Sequence, residues 1–249
     1  MKKTIVILSF VLSLLVAWAS VPQAPQPRAK RHTVNVDSLS TKAGYGIDVS
    51  AHQGRIDWQQ VAQTPVTFVY VKATEGASFV DSRYKENIKG AREAGLKVGA
   101  FHFFRTTSGV HDQFNHFIKT IGEDTLDLIP VLDVEEKKLW NEQQLRDSVK
   151  MFVNLLENHF GCKPMIYTGH KFYNSILGRA FNDCKLFIAQ YVTTLDRKPD
   201  VASKWDIWQF SESGKVSGIR GYVDVNVLGD KVKLEDIMLP EKKDKKKKK

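Results

Sequence analysis

The chain has 249 residues and a mass of 28.3 kDa, enough for one large domain or two small ones. Hydrophobic residues make up 42% and charged residues 26%, which excludes wholesale disorder, and two cysteines exclude a disulfide-dense mini-scaffold. The formal charge of +9 sits at the ends: residues 241–249 carry +5 and residues 1–39 carry +4, which leaves 40–240 neutral and argues against a nucleic-acid-binding face.

Lys2 and Lys3 precede an apolar run from Thr4 to Trp18, and Ala17-Trp18-Ala19 puts small residues where a signal peptidase reads. Residues 1–19 therefore read as a secretory signal, and a periplasmic or extracellular protein is expected. The alternative is an uncleaved anchor, for which the run is short against the ~20 residues a bilayer core takes. Pro22, Pro25 and Pro27 mark residues 20–40 as a linker, and 41–240 as the domain. Glu241–Lys249 is a like-charge block: a solvated tail, or one drawn to anionic lipid or wall polymers.

From Gly46 the pattern alternates strand and helix. Gly46–Val49 is a short strand, and Asp57 caps a helix over Trp58–Gln63. Thr67–Ala73 is β-branched and aromatic, a buried strand; Tyr84–Ala94 is helical, with Gly95 ending it. Lys97–Phe104 is a strand and Val110–Ile121 a helix closed by Gly122. Leu128–Val134 is a strand, and Glu142–Phe160 is the longest helix, with Leu145, Val149, Phe152, Val153 and Leu156 on one face. Pro164–Tyr167 is a strand, followed by a short helix over Tyr173–Leu177. Leu186–Val192, Trp205–Phe210 and Asp224–Val227 are three more strands with little helix between them. Near-continuous apolar strands predict a parallel sheet covered on both faces. With no GxGxxG or GxxxxGK[ST] after the first strand, an irregular TIM-like barrel of α/β class is preferred.

In such barrels the chemistry sits at the C-terminal strand ends. Asp48, Glu75 and the pair Asp133 and Glu135 stand there, and Asp224 lies beside the first strand if the barrel closes. Residues two apart on a strand share a face, with Cα atoms ~6.6 Å apart. Carboxyl groups that close push their pKa values apart, the arrangement that glycosidic cleavage uses. The bland reading of Asp133-Val134-Glu135 is a helix cap or a solvated turn including Glu136. Tyr167, Tyr191 and Trp208 lie near later strand ends and offer flat faces for sugar rings, or simply pack the core. The seven His are scattered and no HExxH exists, so no metal or other cofactor is expected. His102 reads as a satisfied core or rim residue.

Several ordered segments carry a match: Gly46–Ser50 (GIDVS), Phe68–Gly76 (FVYVKATEG), Gly99–Phe103 (GAFHF), Pro130–Glu135 (PVLDVE), Ile166–Thr168, Trp208–Phe210, Gly214–Val216, Gly218-Ile219 and Val223–Asn226. Together they resemble the glycoside hydrolase family 25 lysozymes, the Chalaropsis-type N-acetylmuramidases. The resemblance implies a (β/α)5β3 barrel and hydrolysis of the β-1,4 bond between N-acetylmuramic acid and N-acetylglucosamine in peptidoglycan glycan strands. It carries over Asp48, Asp133, Glu135 and Asp224. It implies Glu135 as general acid, with Asp133 stabilising positive charge or orienting the substrate's acetamido group, and Asp48 and Asp224 positioning that pair. Lys72 and Glu75 fall in matching motifs as substrate-binding candidates. Phe210, where a Tyr is common in the family, is a departure that touches no acid. A monomer is expected. Two other readings stand beside this one: a non-catalytic wall-binding module, and a chitinase-like hydrolase, whose DxxDxDxE run is absent.

Cys162 and Cys184 each stand two residues before a predicted strand. Neighbouring parallel strands lie ~4.8 Å apart, so a disulfide at the rim opposite the acids is expected, with two buried thiols as the alternative.

Overall fold

The structure, a computed structural model, describes residues 33–40, 44–122, 126–138, 140–193, 195–201 and 204–240. The expected signal at 1–19, most of the linker and the Lys-rich tail at 241–249 lie outside them. Strands β1 (Val34–Asn35), β2 (Tyr45–Val49), β3 (Val66–Glu75), β4 (Phe79–Val80), β5 (Lys97–Phe103), β6 (Val131–Asp133), β7 (Met165–Gly169), β8 (Lys185–Ala189), β9 (Ile207–Lys215) and β10 (Val223–Leu228) form one sheet. Eight of them close into a barrel in the order β2-β3-β5-β6-β7-β8-β9-β10, with β10 returning to β2. Helices α1 (Trp58–Val61), α2 (Tyr84–Glu93), α3 (Val110–Ile121) and α4 (Glu142–Phe160) follow the first four barrel strands. The short α5 (His170–Phe172) and a π-turn over Tyr173–Leu177 follow β7, and no helix separates β8, β9 and β10 among the described residues. This is the five-plus-three arrangement expected.

Burial on both strand faces builds the barrel. On β3, Phe68 and Tyr70 pack with Phe187 inside the barrel, while Val69, Val71 and Ala73 join the layer under the helices. The interior aromatic rings need space from neighbouring strands. A Cβ on Gly46 would lie 2.2 Å from the Phe68 ring, and one on Gly99 would lie 2.4 Å from Tyr70. α4 starts where Asn141 accepts from the Gln144 amide and ends at Gly161, whose φ is 76°. The five apolar residues expected on its face are all buried. At the floor of the barrel, a turn over Leu234–Ile237 buries Ile237, and Leu128 bridges to Met238.

Four expectations change. Seven barrel strands run parallel, but β10 is antiparallel to both its neighbours. Residues 216–222 are too few for a crossover, which takes a dozen or more. Residues 34–38, placed in the linker, belong to the domain: β1 pairs with the end of β9, Val36 is fully buried, and Asp37 accepts from the Ser217 amide and hydroxyl. In Leu128–Val134 only Val131–Asp133 is strand, because the Ile129 amide donates to Ile237 of the floor turn and Leu128 bridges Met238 just beyond it. Cys162 and Cys184 are free thiols. Cys184 packs in the outer layer and Cys162 against the inner cluster, and Met165 pairs with Lys185, so the cysteines are not level. No described helix is long and apolar enough to cross a membrane.

Candidate active site

The parallel strands end at one mouth, which holds a cavity of about 330 Å3. Asp48 near the end of β2, Asp133 at the end of β6, Glu135 two residues on, and Asp224 on β10 all line it. Because β10 runs downward, its first residues lie at the mouth, and Asp224 pairs directly with Asp48. Lys72, Tyr167 and Tyr191 line the cavity as well, although Tyr191 stands beyond the end of β8 in the following loop.

Two expected contacts fall elsewhere. Trp208 is 2% exposed, packs with Trp205 and Phe210 in the outer layer, and donates its Nε1–H to the Gln190 carbonyl (2.8 Å). Alternation along β9 sends the next residue, Gln209, inward instead. Glu75 does not line the cavity. It accepts from Lys72 (2.7 Å) and from Arg105, whose guanidinium also meets Glu136 at 2.8 Å. Burial works to raise the pKa of Glu75 and of Glu136. The hydrogen bonds and charges of Lys72, Arg105 and Lys138 outweigh it and hold both below the usual carboxylate range.

Gln209 is the residue the sequence reading missed. Its Oε1 accepts from the hydroxyls of Tyr167 (2.8 Å) and Tyr191 (3.0 Å), while its Nε2 donates to Asp48 (2.9 Å). Asn226 donates to the same Asp48 oxygen at 3.0 Å. Glu212, also on β9, adds a fifth acid to the cavity wall.

His102 is buried, as read from the sequence, and it organises the rim. Gln113 Oε1 accepts from the Arg105 amide (2.9 Å) and contacts His102 Nε2 at 3.2 Å. With that oxygen accepting, the imidazole proton lies on Nε2, and Nδ1 accepts from Thr74 Oγ1 (2.7 Å). Burial lowers the His102 pKa to about 3, so the ring is neutral. Gln113 Nε2 donates to the carbonyls of Arg105 (2.8 Å) and Ser108 (3.0 Å), which holds the loop that presents Arg105.

The acids form two proton-sharing pairs. Burial raises Asp133 well above its ordinary value, and the charge and hydrogen bond of Glu135 add to the rise. Burial also raises Glu135, where the Asp133 hydrogen bond opposes and the Asp48 charge adds. Burial and mutual charge thus make both carboxyls of this pair harder to ionise than free ones. Asp133 Oδ1 is buried without a hydrogen-bond partner. Asp48 is raised by burial although Asn226, Gln209 and Asp224 all bond to it. Asp224 is pushed up to about 8 by burial and by the charges of Asp48, Glu212 and Glu135.

A closed α/β barrel with paired carboxyls at the mouth of its parallel strands fits a glycoside hydrolase. The chain belongs to glycosyl hydrolases family 25, whose family model matches residues 47–219. It is 38% identical over 194 residues to the uncharacterized protein YegX of Escherichia coli (strain K12), covering 76% of this chain and 70% of that one. It is 35% identical over 185 residues to the autolytic lysozyme of Clostridium acetobutylicum, covering 74% of this chain and 56% of that one. The structure of a family 25 glycosyl hydrolase from Bacillus anthracis superposes with a TM-score of 0.71 at 29% identity, over 82% of this chain and 96% of that one.

Proposed function

We propose that the protein is an exported muramidase. It hydrolyses the β-1,4 bond between N-acetylmuramic acid and N-acetylglucosamine in peptidoglycan, with Glu135 as general acid. The observation that carries this reading is the convergence of Asp133 and Glu135 with the Asp48–Asp224 pair in one cavity. The lysozyme names of relatives from Clostridium acetobutylicum and Streptomyces globisporus support it.

For Glu135 to donate it must hold a proton, which its raised pKa favours. A hydrogen bond to a charged carboxylate favours that form. A substrate acetamido N–H brought to the unpartnered Asp133 Oδ1 would supply one, so binding would favour charge on Asp133 and leave Glu135 to hold a proton. Asp133 would then hold the acetamido group or face the developing positive charge. Asp48 would stay oriented by Gln209, Asn226 and Asp224. Tyr167 and Tyr191 would offer ring edges and hydroxyls to the sugar, and Lys72 would balance the negative charge of the acid pair.

Mass spectrometry of fragments released from purified sacculi tests the reading. Reducing-end muramic acid is expected. Reducing-end glucosamine would indicate a chitinase-like cut, and binding without release would indicate a wall-binding module; either result overturns the proposal.

A further inference from the structure

A second groove, of about 1050 Å3, opens beside the acid cavity. Its walls are α1 and the residues before it, Gly90 and Glu93 of α2, and the turn Gly218–Arg220. His52 and Gln53 line both spaces, so a single turn separates the groove from the mouth. That turn is held firmly. The Ser50 amide donates to Gln53 Oε1 (2.9 Å), the Ala51 amide to Asp81 (2.9 Å), and Gln53 Nε2 to the Tyr222 carbonyl (3.3 Å).

Trp58, 7% exposed, forms part of the wall, and its indole edge lies on Gly90. A Cβ at that glycine would stand 2.3 Å from Trp58 Cδ1, so a larger residue would displace the ring. Trp58 Nε1 is buried against Gly90 and has no hydrogen-bond partner.

The groove lining carries two carboxylates, Asp57 and Glu93, and two guanidinium groups, Arg55 and Arg220. Asp57 is occupied by the Gln60 amide (3.2 Å) and side chain (2.7 Å), and Glu93 meets Lys89 at 3.8 Å. Arg55 reaches Glu86 only at 4.0 Å, while Arg83 meets the same carboxylate at 2.5 Å. Arg220 is exposed and has no ion pair among the described residues. Arg55 and Arg220 are thus the groove's cations without a strong ion pair, Arg55 having only its 4.0 Å contact with Glu86.

We infer that this groove binds the acidic peptide that branches from the muramic acid of the glycan, with Arg55 and Arg220 on its carboxylates. The inference rests on the proposed substrate. A 330 Å3 cavity is small for a sugar and its peptide together, so the peptide must leave over the rim. The shared His52–Gln53 turn is a short exit, and guanidinium groups suit carboxylates through paired hydrogen bonds.

The test compares two soluble glycan preparations, one keeping its stem peptides and one stripped of them by an amidase. The quantity read is the ratio of kcat/KM on the two, for the wild type and the Arg55→Glu/Arg220→Glu variant. Exposed charge pairs contribute modestly, so reversing both arginines should lower that ratio about three- to tenfold, and more at low salt. An unchanged ratio in a variant with unaltered melting overturns the inference. Failure of the wild-type protein to cleave either preparation would instead remove the proposed function, and this inference with it.

Discussion

The Asp48–Asp224 pair makes stability depend on pH in an unusual direction. Asp224 rises from the ordinary 3.8 to about 8 on folding. A folded state that binds a proton more tightly than the unfolded chain is favoured at low pH. That stability is fully present below pH 4 and is lost as pH climbs through the folded value near 8. At about 1.4 kcal/mol per pH unit, the loss is on the order of 5 kcal/mol. Asp48, Asp133 and Glu135 are raised as well and add to the same slope. Asp224→Asn removes the titration and keeps a donor toward Asp48, because the amide can take the place of the protonated acid. At pH 8 the variant should melt on the order of 10 °C above the wild type, given ~2–4 °C per kcal/mol for a chain of this size. Near pH 4 the two should coincide, while turnover of the variant falls at every pH. Calorimetry on both proteins across pH 4 to 8.5 checks this. A wild-type melting temperature that is flat over that range, or a variant that keeps the wild-type slope, refutes the reasoning.

Glu135→Gln should stay folded and lose about 10²–10⁴-fold in wall hydrolysis by turbidity, the usual contribution of a general acid; near-normal clearing would reassign the acid. Gln209→Leu should lower kcat/KM on soluble glycan at least tenfold, since a hydrogen bond to a charged group contributes about 1.5–3 kcal/mol, and an unchanged value would show that Asp48 needs no such orientation. Trp208→Ala should cost about 3–5 kcal/mol in chemical denaturation, with KM for glycan unaltered at low temperature; a selective rise in KM would return Trp208 to the sugar site. Thiol titration of the denatured, unreduced protein should find two free thiols per chain, and a reductant should leave the melting temperature in place.

Much of the barrel was legible because strands buried on both faces have nowhere to put polar residues. Thr67–Ala73 and Lys97–Phe104 announce themselves this way, and acids that terminate such runs stand out. The direction of a strand is not written in its hydrophobicity, so β10 read like its parallel neighbours. A two-residue strand such as β1, set beside prolines and basic residues, has no period to detect. Gln209 escaped notice for a different reason. A neutral side chain in an apolar strand is an unremarkable residue until its partners Tyr167, Tyr191 and Asp48 arrive from two other strands and a loop. Arg105 and Glu136 looked like ordinary loop charges, and only the Gln113 clamp on the intervening backbone shows that the rim is fixed. Trp208 carried the right chemistry for a sugar site, but one step of strand alternation put it on the wrong face.

The ring is sealed by its first and last strands, and this governs when the enzyme exists at all. Asp48 meets Asp224 across that seam, and the floor turn that buries Ile237 comes later still. A growing chain could assemble β2 through β8 with their helices while three of the four acids already stood in place, yet the mouth would have no far wall. Joining residues so distant along the chain carries a large loop-closure cost and slows folding. Fragments ending before β10 should therefore be inert, however well formed, and the capacity to cut arrives in one step, once β10 has been made.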